Sequence, residues 1–267
     1  MKTARIIKEK YQRAISRIHR SISFAGLTFG LGFAFNSHGE GVLAANSAEL
    51  KLDSTSPGFR DYQFNGTISR PVLENYLSRS ITMEGLLNGR GDLADNIRML
   101  KSCGAKYIGR ALCLWSAEAN FLSNIGRARL EIPQIKAADQ DMILEACVFE
   151  TVSPKVDHIA IPDWVFSAMG QPVEQRNFRF DDMIYPEGQR RSMGADAQVP
   201  DESRMETRLW FYYQAASYID IGCEAIHFGQ VEIMNKNDPD NVRWADLLGR
   251  VRQYAATHAR RHMVLCN

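Results

Sequence analysis

The stretch Cys223–Asn235, C-E-A-I-H-F-G-Q-V-E-I-M-N, decides the predicted fold. Gly222 precedes an apolar run over Ala225–Phe228, and polar side chains follow that run. This pattern predicts a buried strand over Glu224–Ile233 that ends in carboxylates and amides. Parallel α/β barrels gather polar strand ends of this kind on one face, where the loops build a site.

The same pattern recurs along the chain at regular intervals. Met142–Thr151, M-I-L-E-A-C-V-F-E-T, is an apolar run closed by Glu150. Further strands are predicted at Ser80–Leu86, Ala105–Trp115 and His262–Cys266. Helical patterns lie between the strands, at Asp92–Cys103, Glu118–Ala138 with a break at Pro133, Asp163–Met169, Glu202–Ile221 and Asn241–His258. Alternating β and α units predict an α/β fold, a (β/α)-barrel of the TIM-barrel type with helices outside a parallel sheet.

The number of predicted strands falls short of a closed barrel. We count about five strands where this type of barrel has eight. We therefore expect residues 66–267 to be a barrel domain truncated after about five strands, with self-association through its open edges. Gly85–Gly91 comes nearest to the G-x-G-x-x-G motif, but its spacing is wrong, which argues against an open nucleotide-binding sheet.

The N-terminus has the pattern of a targeting segment. A basic stretch ends at Arg20, an uncharged apolar run covers Ile22–Phe35, and Val42-Leu43-Ala44 offers small residues to a signal peptidase. The apolar run is shorter than the roughly 20 residues of a membrane span. We interpret residues 1–44 as a signal peptide or an N-terminal anchor and residues 45–65 as a linker. We therefore expect the protein to be secreted or periplasmic and to contact a membrane only through this segment.

Charge and cysteine content narrow the classes of partner and cofactor. The net charge is +1 overall but −4 over residues 45–267. A mildly acidic body argues against nucleic acid as a partner, because phosphate binding needs a basic surface. The five cysteines lack C-x-x-C spacing, so we predict no metal site and no cofactor. Cys113 and Cys147 are interpreted as buried thiols that act as small hydrophobes.

Three glutamates lie at the ends of predicted strands, namely Glu84, Glu150 and Glu232. Paired carboxylates carry out glycoside hydrolysis, since one protonates the leaving oxygen and the other attacks or activates water. We therefore predict Glu150 and Glu232 as catalytic residues that project into one cleft. The predicted substrate-binding residues are Glu84, Arg110, Trp115, His227, Gln230 and Asn235. Because side chains alternate along a strand, the residues expected to share the inward face with the glutamates are Thr82, Ile108, Arg110, Leu112, Ala146, Val148, Phe228 and Gln230.

Three strings resemble bacterial barrel proteins of the glycoside-hydrolase-like type. They are I-S-R-P-V-L-E-N-Y-L-S-R at Ile68–Arg79, A-C-V-F-E at Ala146–Glu150, and E-A-I-H-F-G-Q-V-E at Glu224–Glu232. The resemblance covers roughly residues 60–267 and implies a barrel acting on a carbohydrate. In the retaining-glycosidase clan the acid/base follows the fourth strand, a position that Glu232 would fill.

The sequence departs from that family at two points. Val231 and Ile233 flank Glu232 where the clan has an Asn-Glu pair, and the strand that carries the nucleophile is absent from this sequence. Two alternatives therefore stay open. One is a non-catalytic sugar-binding or scaffold barrel, and the other is a metal-dependent hydrolase that uses His227 and Glu232.

Overall fold

The computed structural model of the chain describes residues 60–194 and 196–267. The predicted signal or anchor segment, residues 1–44, and linker residues 45–59 lie outside the described residues. Within the described ranges, no helix is long and apolar enough to cross a membrane. Tyr62 and Phe64, inside the predicted linker, contact the Tyr76 ring at centroid distances of 5.0 and 5.8 Å. The packed region therefore begins before residue 66.

The fold is α/β, and its centre is a five-stranded parallel sheet. The strands are β1 (Ser80–Thr82), β2 (Tyr107–Leu112), β3 (Ile143–Val148), β4 (Ala225–Phe228) and β5 (Leu265–Cys266). Their order in the sheet follows the chain, and every neighbouring pair is parallel. This arrangement is consistent with part of a TIM-like fold, since a doubly wound sheet reverses its strand order at a switch point.

Helices separate the strands. They are α1 (Arg70–Leu77), α2 (Leu93–Cys103), α3 (Phe121–Ala138), α4 (Asp163–Ala168), α5 (Met205–Asp220), α6 (Val231–Met234) and α7 (Val242–His258). Short 3-10 turns lie at Leu86–Asn88, Glu118–Asn120, Pro154–His158 and Phe180–Asp182. The prediction of a short helix beginning at Asp163 inside the long β3–α5 connection is confirmed.

Local sequence sets the ends of these helices. Ser69 caps α1 by accepting a hydrogen bond from the Val72 amide, and Asp92 caps α2 in the same way. Gly104 ends α2 because its φ of 65° is left-handed and favours glycine. Pro133 lies within α3, which runs unbroken from Phe121 to Ala138, so the predicted break there is wrong.

The two faces of the sheet have different partners, and the predicted inward face is wrong. The residues that pack into the main core with the outer helices include Ile108, Leu112, Leu144, Ala146, Val148, Ile226 and Phe228. The opposite face carries Tyr107, Ile143, Glu145, Cys147, Ala225 and His227. Strands buried on both faces are apolar throughout, so alternation alone does not tell which face points inward.

Helix α1 covers the second face at the N-terminal end of the strands. Val72 and Tyr76 of α1 cluster with Tyr107, Ile143 and Ala225, the first residues of β2, β3 and β4. The Tyr76 hydroxyl donates to a backbone carbonyl that precedes β3, at 3.0 Å. This end of the sheet is therefore closed by packing, and the C-terminal end is where a cavity is found.

The fourth strand is shorter than predicted. It ends at Phe228, and the chain turns at Gly229 and Gln230 into the one-turn helix α6. Glu232 therefore lies on a helix and is exposed. The prediction that it continues the strand with Phe228 and Gln230 is wrong.

Candidate functional site

A cavity of about 790 Å³ opens at the C-terminal ends of the first four strands. Its walls come from the loops that follow β1, β2, β3 and β4 and from the first turn of α3. The residues that line it are Glu84, Asn88, Arg90, Arg110, Cys113, Leu114, Trp115, Ala117, Asn120, Ser123, Asn124, Arg127, Phe149, Glu150, His227, Gly229 and Gln230. Its size suits a small ligand, for which pockets of about 300–1,000 Å³ are usual.

Glu145, a buried residue of β3, connects the strands below this cavity through hydrogen bonds. Its buried carboxylate accepts hydrogen bonds from the Tyr107 hydroxyl at 2.6 Å, the Arg110 amide at 2.8 Å and the Asn267 side chain at 2.8 Å. The carboxylate thus joins β3 to β2 and to the end of β5. It also fixes an irregularity in β2, where the register with β3 shifts between Ile108 and Leu112.

Arg110 sits at that irregularity in an unusual backbone conformation. Its φ is 55°, in the left-handed region that side chains other than glycine rarely adopt. Its carbonyl accepts hydrogen bonds from the Gly85 amide and the Cys113 thiol, both at 3.2 Å. Bulges of this kind re-aim side chains at functional sites. Here the exposed Arg110 side chain lines the cavity, 6.0 Å from the Phe149 ring centre.

The β1–α2 loop makes room for two further arginines. Gly85 and Gly89 have φ values of 78° and 75°. A Cβ at Gly85 would lie 2.7 Å from Cδ of Arg90, and a Cβ at Gly89 would lie 2.7 Å from a guanidinium nitrogen of Arg127. The positive φ therefore favours glycine at both positions, and an arginine side chain lies against each of them. Asn88 ties this loop to β2 through two hydrogen bonds with the backbone of Cys113.

Charges in the cavity are unequal. Three arginines face two glutamates, Glu84 and Glu150. Arg90 pairs with Glu84 at 3.5 Å, and both side chains are more than half exposed. Arg127 reaches Glu131 only at 4.0 Å, and burial raises the pKa of that glutamate. Among the described residues, Arg110 has no carboxylate within ion-pair distance.

Aromatic rings form another wall. Trp115 is 46% exposed, and its ring centre lies 5.1 Å from that of Phe149. The centre of the His227 ring is 6.2 Å from that of Phe149, and its Nδ1 lies 2.9 Å from the Asn267 side chain. The exposed indole offers a flat apolar surface beside the polar groups of the cavity.

Glu150 is the buried carboxylate of the cavity. It is 5% exposed and accepts one hydrogen bond, from the Gln230 amide at 3.2 Å. A Cβ at Gly229 would overlap this carboxylate, so the turn after β4 holds Glu150 in place. Because Gly229 has no side chain, the backbone after β4 lies directly against the Glu150 carboxylate, which follows β3.

The amino end of α3 adds polar groups. Asn120, Ser123 and Asn124 line the cavity, and the Asn120 carbonyl accepts hydrogen bonds from the side chains of the other two. The side chain of Asn120 does not cap the helix.

Two thiols lie at the edge of the cavity. The Cys113 sulfur is 3.1 Å from the Cys147 sulfur, which is buried on the second face of β3. The contact with Cys113, together with burial, raises the pKa of Cys147. Cys147 fits the interpretation as a buried small hydrophobe, whereas Cys113 is half-buried and lines the cavity.

The structure brings together six of the eight predicted site residues. Glu84, Arg110, Trp115, Glu150, His227 and Gln230 all line the cavity. Glu232 is on α6 and Asn235 follows that helix, where its side chain contacts Asn241, and neither lines the cavity. The predicted pairing of Glu150 with Glu232 therefore has no support in this placement.

Sequence reasoning missed Glu145, Arg90 and Arg127. A signal for Glu145 existed, because it is a lone charge inside the apolar run Met142–Val148. The glycines around Arg90 were a signal for a close approach. Arg127 had none, since it sits on a helix among ordinary charged residues.

Metal ligands are not clustered in the described part of the chain. No group of three or more His, Cys, Asp or Glu side chains there is placed to hold a metal ion. His227 and Glu232, the residues of the metal-dependent alternative, thus have no third ligand among residues 60–194 and 196–267.

Comparison with protein families, with curated proteins and with solved structures finds no match for this chain.

Proposed function

We propose that the cavity binds a carbohydrate and cleaves a glycosidic bond, with Glu150 and Glu84 as the carboxylate pair. The observation that carries the proposal is the buried Glu150 in a polar cavity beside the exposed Trp115. Glycoside hydrolysis uses two carboxyl groups that flank the scissile bond. Glu84 replaces Glu232 as the second carboxylate, because it lines the same cavity.

The proposal also includes a closed (β/α)8 barrel as the fold and export from the cytoplasm as the location. The sequential parallel order of β1–β5 and the position of the cavity at the strand ends support a (β/α)8 barrel, in which sites lie on that face. The basic and apolar pattern of residues 1–44 supports export to the periplasm or the outside of the cell.

One observation favours a second candidate, a non-catalytic sugar-binding barrel. Glu84 is more than half exposed and lies 3.5 Å from Arg90. An ion-pair partner lowers the basicity of a carboxylate, so this contact favours binding over attack on the sugar or activation of water. In that case the cavity would bind a sugar without turning it over.

Turnover and binding of an oligosaccharide panel test the proposal. We expect Glu150→Gln to lower turnover by about 10²–10⁴-fold while binding persists, and Glu84→Gln to do the same. Glu187→Gln is the matched control, since Glu187 is exposed and makes no hydrogen bond or ion pair to another described residue. Binding by the unmodified chain without turnover would establish the second candidate, and no binding of any sugar would overturn both.

A further inference from the structure

We infer that the carbohydrate bound in this cavity carries an oxyanion, a carboxylate, sulfate or phosphate group, which Arg110 and Arg127 recognise. The inference rests on the proposed function, because it names the substrate class of the same site. It starts from the excess of arginine over glutamate in the cavity. A neutral sugar would leave that excess uncompensated.

The two arginines differ from the third in their partners. Arg90 shares its charge with Glu84 at 3.5 Å. Arg110 has no carboxylate partner among the described residues, and Arg127 has one only at the 4.0 Å limit. Two guanidinium groups therefore keep donors for a ligand. A planar guanidinium matches a carboxylate, sulfate or phosphate through paired hydrogen bonds.

The backbone around Arg110 is built to present this side chain. A left-handed φ is unfavourable for arginine and persists only where the surroundings impose it. Two hydrogen bonds hold this conformation. The Arg110 amide donates to the Glu145 carboxylate at 2.8 Å, and the Arg110 carbonyl accepts from the Gly85 amide at 3.2 Å. The buried Glu145 carboxylate thus fixes the backbone from which the Arg110 side chain enters the cavity.

Arg127 contacts a different part of the chain, the loop after β1. Its guanidinium lies against Gly89, 2.7 Å from where a Cβ would stand. The loop after β1 and the first turns of α3 thus meet at this arginine. The β2 bulge and helix α3 thus each place a guanidinium group at the wall of the same cavity.

Matched ligands provide the test. The full chain is titrated calorimetrically with glucose, glucuronate, glucose 6-sulfate and glucose 6-phosphate, and with their oligosaccharide counterparts. We expect an acidic ligand to bind at least about 10-fold more tightly than its neutral partner, which corresponds to one charge-assisted hydrogen bond. The preference should shrink as salt is added. The three acidic ligands distinguish which oxyanion the site takes.

Variants test whether Arg110 and Arg127 cause the preference for acidic ligands. Arg110→Gln and Arg127→Gln should each remove about 10-fold of the affinity for the acidic ligand and so reduce its preference over the neutral ligand. Arg129→Gln is the control, because Arg129 is exposed on the same helix and does not line the cavity. Equal binding of neutral and acidic sugars would overturn the inference while the proposed function stands. Binding of neither kind would overturn the proposed function as well.

Discussion

The two ends of the sheet differ in how completely their charged side chains are paired. At the N-terminal end, Lys106 pairs with Asp139 at 2.7 Å, and Glu224 receives Lys136, Arg260 and Arg261. At the C-terminal end, three arginines and two glutamates line the cavity, and the ion-pair contacts of these arginines are long or absent among the described residues. Buried partners at one end stabilise the fold, and unpaired donors at the other are open to a ligand. Barrel proteins show the same division between a stability face and a functional face.

The largest expected effect is at the N-terminal end, at Glu224. It is 1% exposed, and burial lowers the pKa of its partner Lys136, whose charge depends on this carboxylate. We expect Glu224→Ala to lower the free energy of unfolding by about 3–5 kcal/mol, since it leaves buried cations without a partner. Urea unfolding measures this. The exposed pair Arg70–Glu74 supplies the control, because Glu74→Ala should cost less than about 1 kcal/mol. Similar losses for both variants would contradict the comparison.

Glu202 sharpens the comparison, because it is a buried acid without such partners. It is 0% exposed, neither carboxyl oxygen has a hydrogen bond among the described residues, and Arg208 is 3.8 Å away. Burial raises the pKa of Glu202 to about 8. The folded state therefore keeps a proton that the unfolded state loses above its ordinary pKa, and the stability of the protein falls as pH rises from about 5 to 8.

The change expected across that window is roughly 2–4 kcal/mol, at 1.36 kcal/mol for each unit of pKa difference. Glu202→Gln should remove this pH dependence and be more stable than the unmodified chain at pH 8. Thermal unfolding at pH 5 and pH 8 measures it, with Glu187→Gln as the exposed control. Parallel pH profiles for the chain and the Glu202 variant would show that this carboxyl does not titrate in the window.

Gly229 tests how tightly the C-terminal end holds its buried carboxylate. A Cβ there would overlap Glu150. We expect Gly229→Ala to lower the free energy of unfolding by about 1–3 kcal/mol and turnover by about 100-fold, because a displacement of about 1 Å has that effect on a catalytic group. Gly249→Ala is the control, since Gly249 is helical with nothing within 4 Å. That control should raise stability by about 0.5–1 kcal/mol. Full activity in Gly229→Ala would show that Glu150 has room to move.

The smallest expected effect is at Arg110. Arg110→Gly should raise the free energy of unfolding by about 0.5 kcal/mol, because relief of a left-handed φ outweighs the added freedom of the unfolded chain. The same change should weaken binding of an acidic ligand. His262, with a φ of 54° near the N-terminal end, is the matched comparison. His262→Gly should change stability in the same direction and leave binding unchanged. A loss of stability in Arg110→Gly would show that the arginine supports the fold rather than a ligand.

The order of elements could be predicted from the sequence, and the site only in part. Apolar runs, caps and glycine stops located the five strands and the helix at Asp163 because these signals are local. The inward face could not be predicted, because β3 is buried on both sides. Glu232 was misplaced because V-E-I-M continues a strand pattern, although the turn at Gly229 and Gln230 starts a helix. The bulge at Arg110 depends on a carboxylate 35 residues away and leaves no local pattern.

The contacts of Glu145 also bear on the order in which the molecule folds. Its three hydrogen bonds reach residues 38, 35 and 122 positions away along the chain. Contacts of long sequence separation form slowly, because loop closure is unfavourable until they are made. Asn267 also leaves the ribosome long after Glu145, and chains fold from the N-terminus during synthesis. We therefore expect the helices and the first three strands to assemble early, together with the hydrogen bond between Glu145 and the Arg110 amide. A nascent chain that ends before β5 would contain most of the sheet and still lack the hydrogen bond from Asn267 to Glu145.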